Sequence, residues 1–509
     1  MASLFYIMKY FYHLLKPLAI LFAIICFSTS LHAYDFIVDG LCYYKNSDGI
    51  SVTLTYNNTS AAYNNYSGLT TANIPSTVTY DGTTYTVTQI GSNAFWHSKD
   101  LTRVIIPNSV TSISSNAFVN CISLTNVTIG SSVTFIGDNA FPNCYNITQL
   151  TWNAINCTSN GNMTTFNIEN VTIGNIVQTL PANFVSGSKI TTITIPSLVS
   201  SIGSGAFSNC VGLKSINIKN KCIGNSQFSG CTSLTSVTIP NSVTTIGSSA
   251  FQGCTSLTSI TIPNSVTTIG YNAFYQCSGL TSVTIPNSVT TIEDASFACS
   301  GLTSVVIPNS VTSIGYSAFY GCAGMTSAKI GNSVSTIGSY AFQGCTGLKN
   351  LTIPGSVTNI GFMAFEGCAG LMTVKIGNST ESTVVENGAF KGCEGLTKVT
   401  LPASLTSLGE EAFSGCTGLT DVICLRPRPI SIDASVFKNV PVNGGCDLHV
   451  PAGSEPRYRA MDVWKDFLFI EEDAVDEDPT PTPKGDVNGD GRVNVSDVSA
   501  LINIILGIS

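Results

Sequence analysis

The chain has 509 residues, a formal net charge of −8, 43% hydrophobic residues and only 10% charged ones. Nucleic acid as a partner needs clustered Lys and Arg, and the 22 basic residues here are spread thinly along the chain. Metal and histidine-assisted chemistry are equally short of material, because His13 and His32 fall in an N-terminal leader and leave only His97 and His449.

That leader occupies residues 1–33. It runs from Lys9 and Lys16 through an apolar stretch, Leu18 to Phe27, to a polar end at Ser30-Leu31-His32-Ala33. The order predicts a secretory signal peptide, and the apolar stretch is too short for a membrane-spanning helix. Ile25 before Cys26 argues against lipid attachment at that cysteine. The expected location is therefore secreted, extracellular or on a bacterial cell surface, with no transmembrane span.

Residues 34–89 read as a strand-rich N-terminal cap, rich in Tyr, Asn and Thr, that leads into the half-repeat Ile90-Gly91-Ser92-Asn93-Ala94-Phe95. From residue 90 to 445 one sentence recurs. It reads LTSVTIPNSVTTIGSSAFQGCTS from Leu234 and LTSITIPNSVTTIGYNAFYQCSG from Leu257, a period of 23 residues. A unit this short cannot bury its own apolar face, so it has a core only when stacked on its neighbours. The prediction is a β-rich repeat solenoid whose function sits on a long surface.

Within one unit Leu257, Ile260, Ile262, Val266, Ile269, Ala273, Phe274 and Cys277 are the apolar positions. Ser259 to Ile262 alternates as a half-buried strand does. Pro263-Asn264 turns the chain, Val266 to Ile269 is a second extended piece, and Gly270 breaks it before a tight turn or helical coil at Ala273-Phe274. Repeats of 21, 22 and 25 residues begin at Leu213, Leu280 and Leu371, so insertions are expected in the turns. Between 147 and 189 the pattern blurs over a length that suits two degenerate coils.

Twelve of the 18 cysteines are assigned to one repeat position: Cys121, Cys144, Cys210, Cys231, Cys254, Cys277, Cys299, Cys322, Cys345, Cys368, Cys393 and Cys416. Stacked copies of an inward position predict a ladder of buried thiols. Coil spacing also approaches that of disulfide partners, so some bridges between neighbours stay open as an alternative. The outward Thr and Ser residues suit strand formation, and a ligand face is the competing reading. Tyr271 with Tyr275 and Tyr316 with Tyr320 repeat an i, i+4 spacing, with Tyr340 and Phe362 further along. Such a row suits protein or sugar contact, and variation of a permissive turn explains it as well.

Residues 446–470 read as a C-terminal cap, with a strand at Asp447 to Val450 and an aromatic plug of Tyr458, Trp464, Phe467 and Phe469. An acidic Pro/Thr linker, 471–485, follows. Residues 486–509 open with Asp486, Asn488, Asp490, Asn494 and Asp497 at loop positions 1, 3, 5, 9 and 12, Gly491 at 6 and the Arg492 backbone carbonyl at 7. That order of oxygens is an EF-hand-type loop for Ca2+, with Asp at the last position where Glu is usual.

The Ile-Pro, Ile-Gly, Ala-Phe and Cys of each unit resemble the BspA-like leucine-rich repeats of bacterial surface proteins, over roughly residues 90–445. The loop and the helix after it, with Val498, Leu501, Ile502, Ile505 and Leu506, resemble a single dockerin repeat. The first resemblance implies an extracellular leucine-rich-repeat solenoid in a family that includes adhesins. The second implies attachment to a cohesin-like partner, with Ser496 facing it. One loop is small for a core of its own, so a second copy or the solenoid itself are further candidates for what it packs on. The expected function is a cell-surface binding protein recognising a host protein or glycan, with a calcium-dependent attachment module. A structural spacer in an extracellular dockerin/cohesin-type assembly is the alternative. An enzyme is not expected, since no nucleophile and base are paired in the sequence.

Overall fold

The computed structural model describes residues 34–57, 66–161, 163, 167–219 and 221–475. Residues 1–33, read from the sequence as a leader, and 486–509, read as a calcium loop and helix, lie outside them. The chain forms two compact units, Met1–Met325 and Thr326–Ser509.

In the first unit each repeat is one coil with two short parallel strands and a tight turn. Strands at Thr192–Ile195, Ser215–Ile218, Ser236–Thr238, Ser259–Thr261 and Ser282–Thr284 lie side by side in one sheet. Ser236 pairs with Ser259 and Ser259 with Ser282, so the register equals the sequence period. The second extended piece builds its own ladder, for example Thr245–Ile246 on Thr268–Ile269. Residues 147–189 do hold two coils, since Gln149–Trp152 pairs with Asn126–Ile129 on one side and Asn170–Ile173 on the other. At the N-terminal end Phe36–Val38, Leu41–Lys45 and Ser51–Thr55 form an antiparallel meander, and its last strand joins Thr83–Ile90 in parallel.

The turn after the second strand is not helical. It carries a left-handed residue at two places four residues apart, such as Asn116 with Asn120 and Asn272 with Gln276, all near φ 60°. Asn and Gly tolerate this conformation, which explains their recurrence there. Inside the turn the repeat phenylalanines stack face to face, with centroids 5.5 Å apart for Phe251 and Phe274 and 5.3 Å for Phe274 and Phe297.

The cysteine ladder consists of buried free thiols. Most of these thiols donate to the phenylalanine carbonyl of the preceding coil, as Cys254 Sγ does to Phe228 O at 3.2 Å and Cys277 Sγ to Phe251 O at 3.1 Å, and Cys210 Sγ donates to Val185 O at 3.3 Å. Burial alone would leave that carbonyl short of a partner. Cys299 corrects the sequence reading. It occupies the second left-handed turn position, at φ 53°, and is half-buried. Ser300 takes the ladder place, buried, with its hydroxyl 3.3 Å from Cys322 Sγ.

In the second unit Asn350–Ile353, Thr373–Ile376, Lys398–Leu401, Asp421–Cys424, Asp447–His449 and Ile470–Glu471 continue in parallel order. The 25-residue repeat holds its extra length between its two strands, where Thr380, Glu381 and Ser382 are exposed: Asn350 pairs with Thr373, 23 residues on, and Asn359 with Val384, 25 residues on. Phe365, Phe390 and Phe413 stack at 5.2 and 5.3 Å. A short α-helix at Glu455–Arg459 and a 3-10 turn at Trp464–Asp466 close this unit. Tyr458, Trp464 and Phe467 are fully buried there, and Trp464 Nε1 donates to Ile430 O at 2.9 Å. Phe469 does not join the plug and is 49% exposed.

Candidate functional site

A solenoid can bind only through groups its own packing leaves free. The threonine rows are largely spoken for. Thr125 Oγ1 donates to Thr102 O at 3.0 Å and Thr267 Oγ1 to Thr244 O at 3.3 Å, and in the second unit Thr358 Oγ1 donates to Ser335 O at 3.2 Å. These hydroxyls repeat the backbone ladder one step outward, which favours their structural reading.

The turn aromatics stand out by their exposure. Tyr271 and Tyr316 follow the glycine that ends the second strand, and they are 50% and 53% exposed. Tyr320, next to the buried Phe319, is 42% exposed, while Tyr275 beside Phe274 is half-buried. Their backbones are fixed by coil-to-coil bonds: Ser249 N donates to Tyr271 O and Gly253 N to Tyr275 O, both at 2.8 Å. Ala295 N donates likewise to Tyr316 O at 2.8 Å, and Tyr316 N donates to Asp294 Oδ1 at 2.7 Å. The coil between the pairs has the exposed Asp294 and the buried Ala298 at the matching places. The first unit thus holds four aromatic side chains on a rigid base, with the polar hydroxyls at their tips.

In the second unit Tyr340 and Phe362 are neighbours, with ring centroids 5.3 Å apart and edge-on. They do not extend one equivalent row. Phe362 occupies the post-glycine place, whereas Tyr340 sits in the left-handed turn position at φ 59°, where the array usually has Asn or Ser. An aromatic there costs backbone strain that Asn avoids.

The outward sheet face of the second unit also carries a shallow cleft that the sequence reading did not single out, lined by Thr352, Thr373, Lys375, Lys398, Thr400 and Val475. Its only signal was a pair of lysines at strand positions in a chain with few charges. The other predicted site residues, Asp486, Asn488, Asp490, Arg492, Asn494, Ser496 and Asp497, lie outside the described residues. Among the described residues no helix is long and apolar enough to cross a membrane.

Comparison with known proteins agrees with this architecture. The family described as BspA type Leucine rich repeat region matches in six copies, over residues 88–214, 221–349 and 335–443. The Dockerin type I domain matches residues 484–509. A leucine-rich repeat protein from Bacteroides ovatus is 25% identical with a TM-score of 0.53, over 76% of this chain and 94% of its own. A leucine rich cell surface protein from Faecalibacterium prausnitzii is 29% identical with a TM-score of 0.35, over 76% of this chain and 94% of its own. No curated protein matches the chain.

Proposed function

The chain belongs to the BspA-type leucine-rich-repeat family and carries a C-terminal dockerin type I domain, and from that premise we propose an extracellular recognition protein with a separate attachment module. Its solenoid recognises a host protein or glycan, and its tail binds Ca2+ and engages a cohesin-like partner. The observation that carries the recognition half is the set of tyrosines Tyr271, Tyr275, Tyr316 and Tyr320. Their backbones are locked by neighbouring coils while the rings of three are 42% exposed or more. Tyrosine on a fixed backbone offers large amphipathic contact area for little lost side-chain freedom.

In the tail, Asp486, Asn488, Asp490, Asn494, Asp497 and the Arg492 carbonyl would supply the oxygens that a hard cation needs. Ordering of the helix expected from Asn494 to Leu506 would then depend on the bound ion. Ser496, at the start of that helix, would face the partner.

Two measurements on the full chain test the proposal. Binding to arrayed extracellular-matrix proteins and glycans should fall at least tenfold when the four tyrosines become Ser, with the melting temperature moving by no more than a few degrees. Equal capture by the variant would end the tyrosine assignment. Calorimetric titration with Ca2+ should give heat with the wild type and none with Asp486→Ala/Asp490→Ala, and equal heats would refute the loop.

A further inference from the structure

His449 is one of the two histidines outside the leader, and the sequence surrounds it with nothing that suggests a site. The fold does. Parallel register places Ile423, His449 and Glu471 side by side on the outward face of the last three strands. Asp421, two residues before Ile423, and Asp473, two after Glu471, reach the same imidazole from opposite sides. Nδ1 is 2.7 Å from Asp473 Oδ1 and 3.9 Å from Glu471 Oε2, and Nε2 is 3.4 Å from Asp421 Oδ1.

The geometry points to a divalent transition-metal site of the zinc class, with His449 Nδ1, Glu471 and Asp473 as ligands and Asp421 as the outer partner of the ring. The three ligand atoms lie within 4.8 Å of one another. Zinc with nitrogen and oxygen ligands at about 2.0–2.1 Å has ligand-to-ligand edges of roughly 3.3 Å. The observed 2.7 and 3.9 Å lie on either side of that value, so small side-chain rotations close the shell. A water or a second carboxylate oxygen would complete it.

A second feature is independent of those distances. Metal-bound histidine usually gives its other ring nitrogen's proton to a carboxylate, which fixes the tautomer and leaves the first nitrogen free to coordinate. Asp421 stands in that place. Its own second oxygen accepts a hydrogen bond from Thr420 Oγ1 at 2.6 Å, so it is oriented rather than swinging in solvent. Nδ1 is hydrogen-bonded to Asp473 Oδ1 at 2.7 Å, while Nε2 is shielded from water and has no hydrogen-bond partner among the described residues. A cation taking the place of the Nδ1 proton would move the proton to Nε2, where Asp421 Oδ1, 3.4 Å away, can accept it. Three carboxylates around one imidazole also repel one another, and a divalent cation removes that repulsion. Imidazole among the ligands selects zinc-like ions over Ca2+ or Mg2+.

The site would staple the end of the solenoid. Among the described residues Ile470–Glu471 is a two-residue edge strand paired only to Asp447–His449. A metal joining Glu471 and Asp473 to His449 would hold that strand and the start of the acidic linker on the final sheet edge.

The test uses the full chain in the Asp486→Ala/Asp490→Ala background, so that the tail loop cannot contribute, with Zn2+ and Co2+ as probes. We expect one ion per chain, a higher melting temperature with Zn2+, and Co2+ absorption bands of a four-coordinate nitrogen and oxygen site without a sulfur charge-transfer band. Glu471→Gln/Asp473→Asn should abolish binding. Both residues are more than half exposed, so this variant should retain the fold. His449→Gln should abolish binding too, and Asp421→Asn should weaken it by about 10–100-fold. The inference is overturned if the background chain takes up no ion, if binding survives Glu471→Gln/Asp473→Asn, or if the Co2+ spectrum shows thiolate ligands.

Discussion

The regular coils between 234 and 322 and the blurred stretch between 147 and 189 solve the same packing problem with different residues. In the regular coils phenylalanines stack nearly parallel, 9° apart for Phe274 and Phe297, and a thiol or Ser300 fills each ladder place. In the blurred stretch Trp152 and Phe184 meet edge-on at 70° and 5.0 Å, and Phe184 meets Phe207 at 88° and 6.1 Å. Cys157 and Met163 are buried there without repeating the ladder spacing. Parallel pairing with matched register occurs in both regions: one sheet runs from Arg103 to Ile173, and a separate one from Thr192 to Thr284. A coil is therefore defined by buried volume and by its backbone ladder, and the motif is only the commonest way to supply them.

That comparison can be broken most directly at the phenylalanine stack. Phe274→Ala should destabilise the first unit by about 3–5 kcal/mol, since the lost ring leaves a cavity between two coils that also lose their stacking partner. Denaturant unfolding measures it. A cost below about 1 kcal/mol would show that the stack is decorative and that the backbone ladder alone defines the coil.

A somewhat smaller effect per residue is expected from the buried thiols at high pH. Burial pushes the thiol of Cys277 up to about 12 and that of Cys322 up to about 11, from an ordinary value of 9.0. The folded protein thus holds these protons more tightly than the unfolded chain. Their contribution is complete below pH 9 and is lost as pH rises through 9 toward 11–12. The loss is about 1.4 kcal/mol per pH unit for each thiol. Unfolding midpoints measured from pH 8 upward should fall increasingly steeply, and a flat profile to pH 11 would mean the thiols are accessible or bridged.

The smallest effect separates the ladder from its impostor. Cys277→Ala should cost on the order of 1 kcal/mol through a small cavity, and Cys299→Ala close to nothing. Thiol labelling of the native protein should reach Cys299 well before Cys277. Equal rates would return Cys299 to the ladder.

Much of this was legible without coordinates. The period of 23 residues carries the strand register directly, because each residue's neighbour in space is its counterpart one repeat away. Alternation around Ser259 to Ile262, the break at Gly270 and the inward Phe and Cys follow from local chemistry repeated many times. What repetition cannot encode was decided by the tertiary structure. One residue of slip at the turn moved Cys299 outward and put Ser300 in its place, since the left-handed position is set by the backbone of both neighbouring coils. Phe469 stayed outside the cap because Trp464, Tyr458 and Phe467 already fill the space over Phe437. His449, Asp421, Glu471 and Asp473 share no motif and do not repeat. Only the pairing of three successive edge strands brings their charges within a few ångströms of one another.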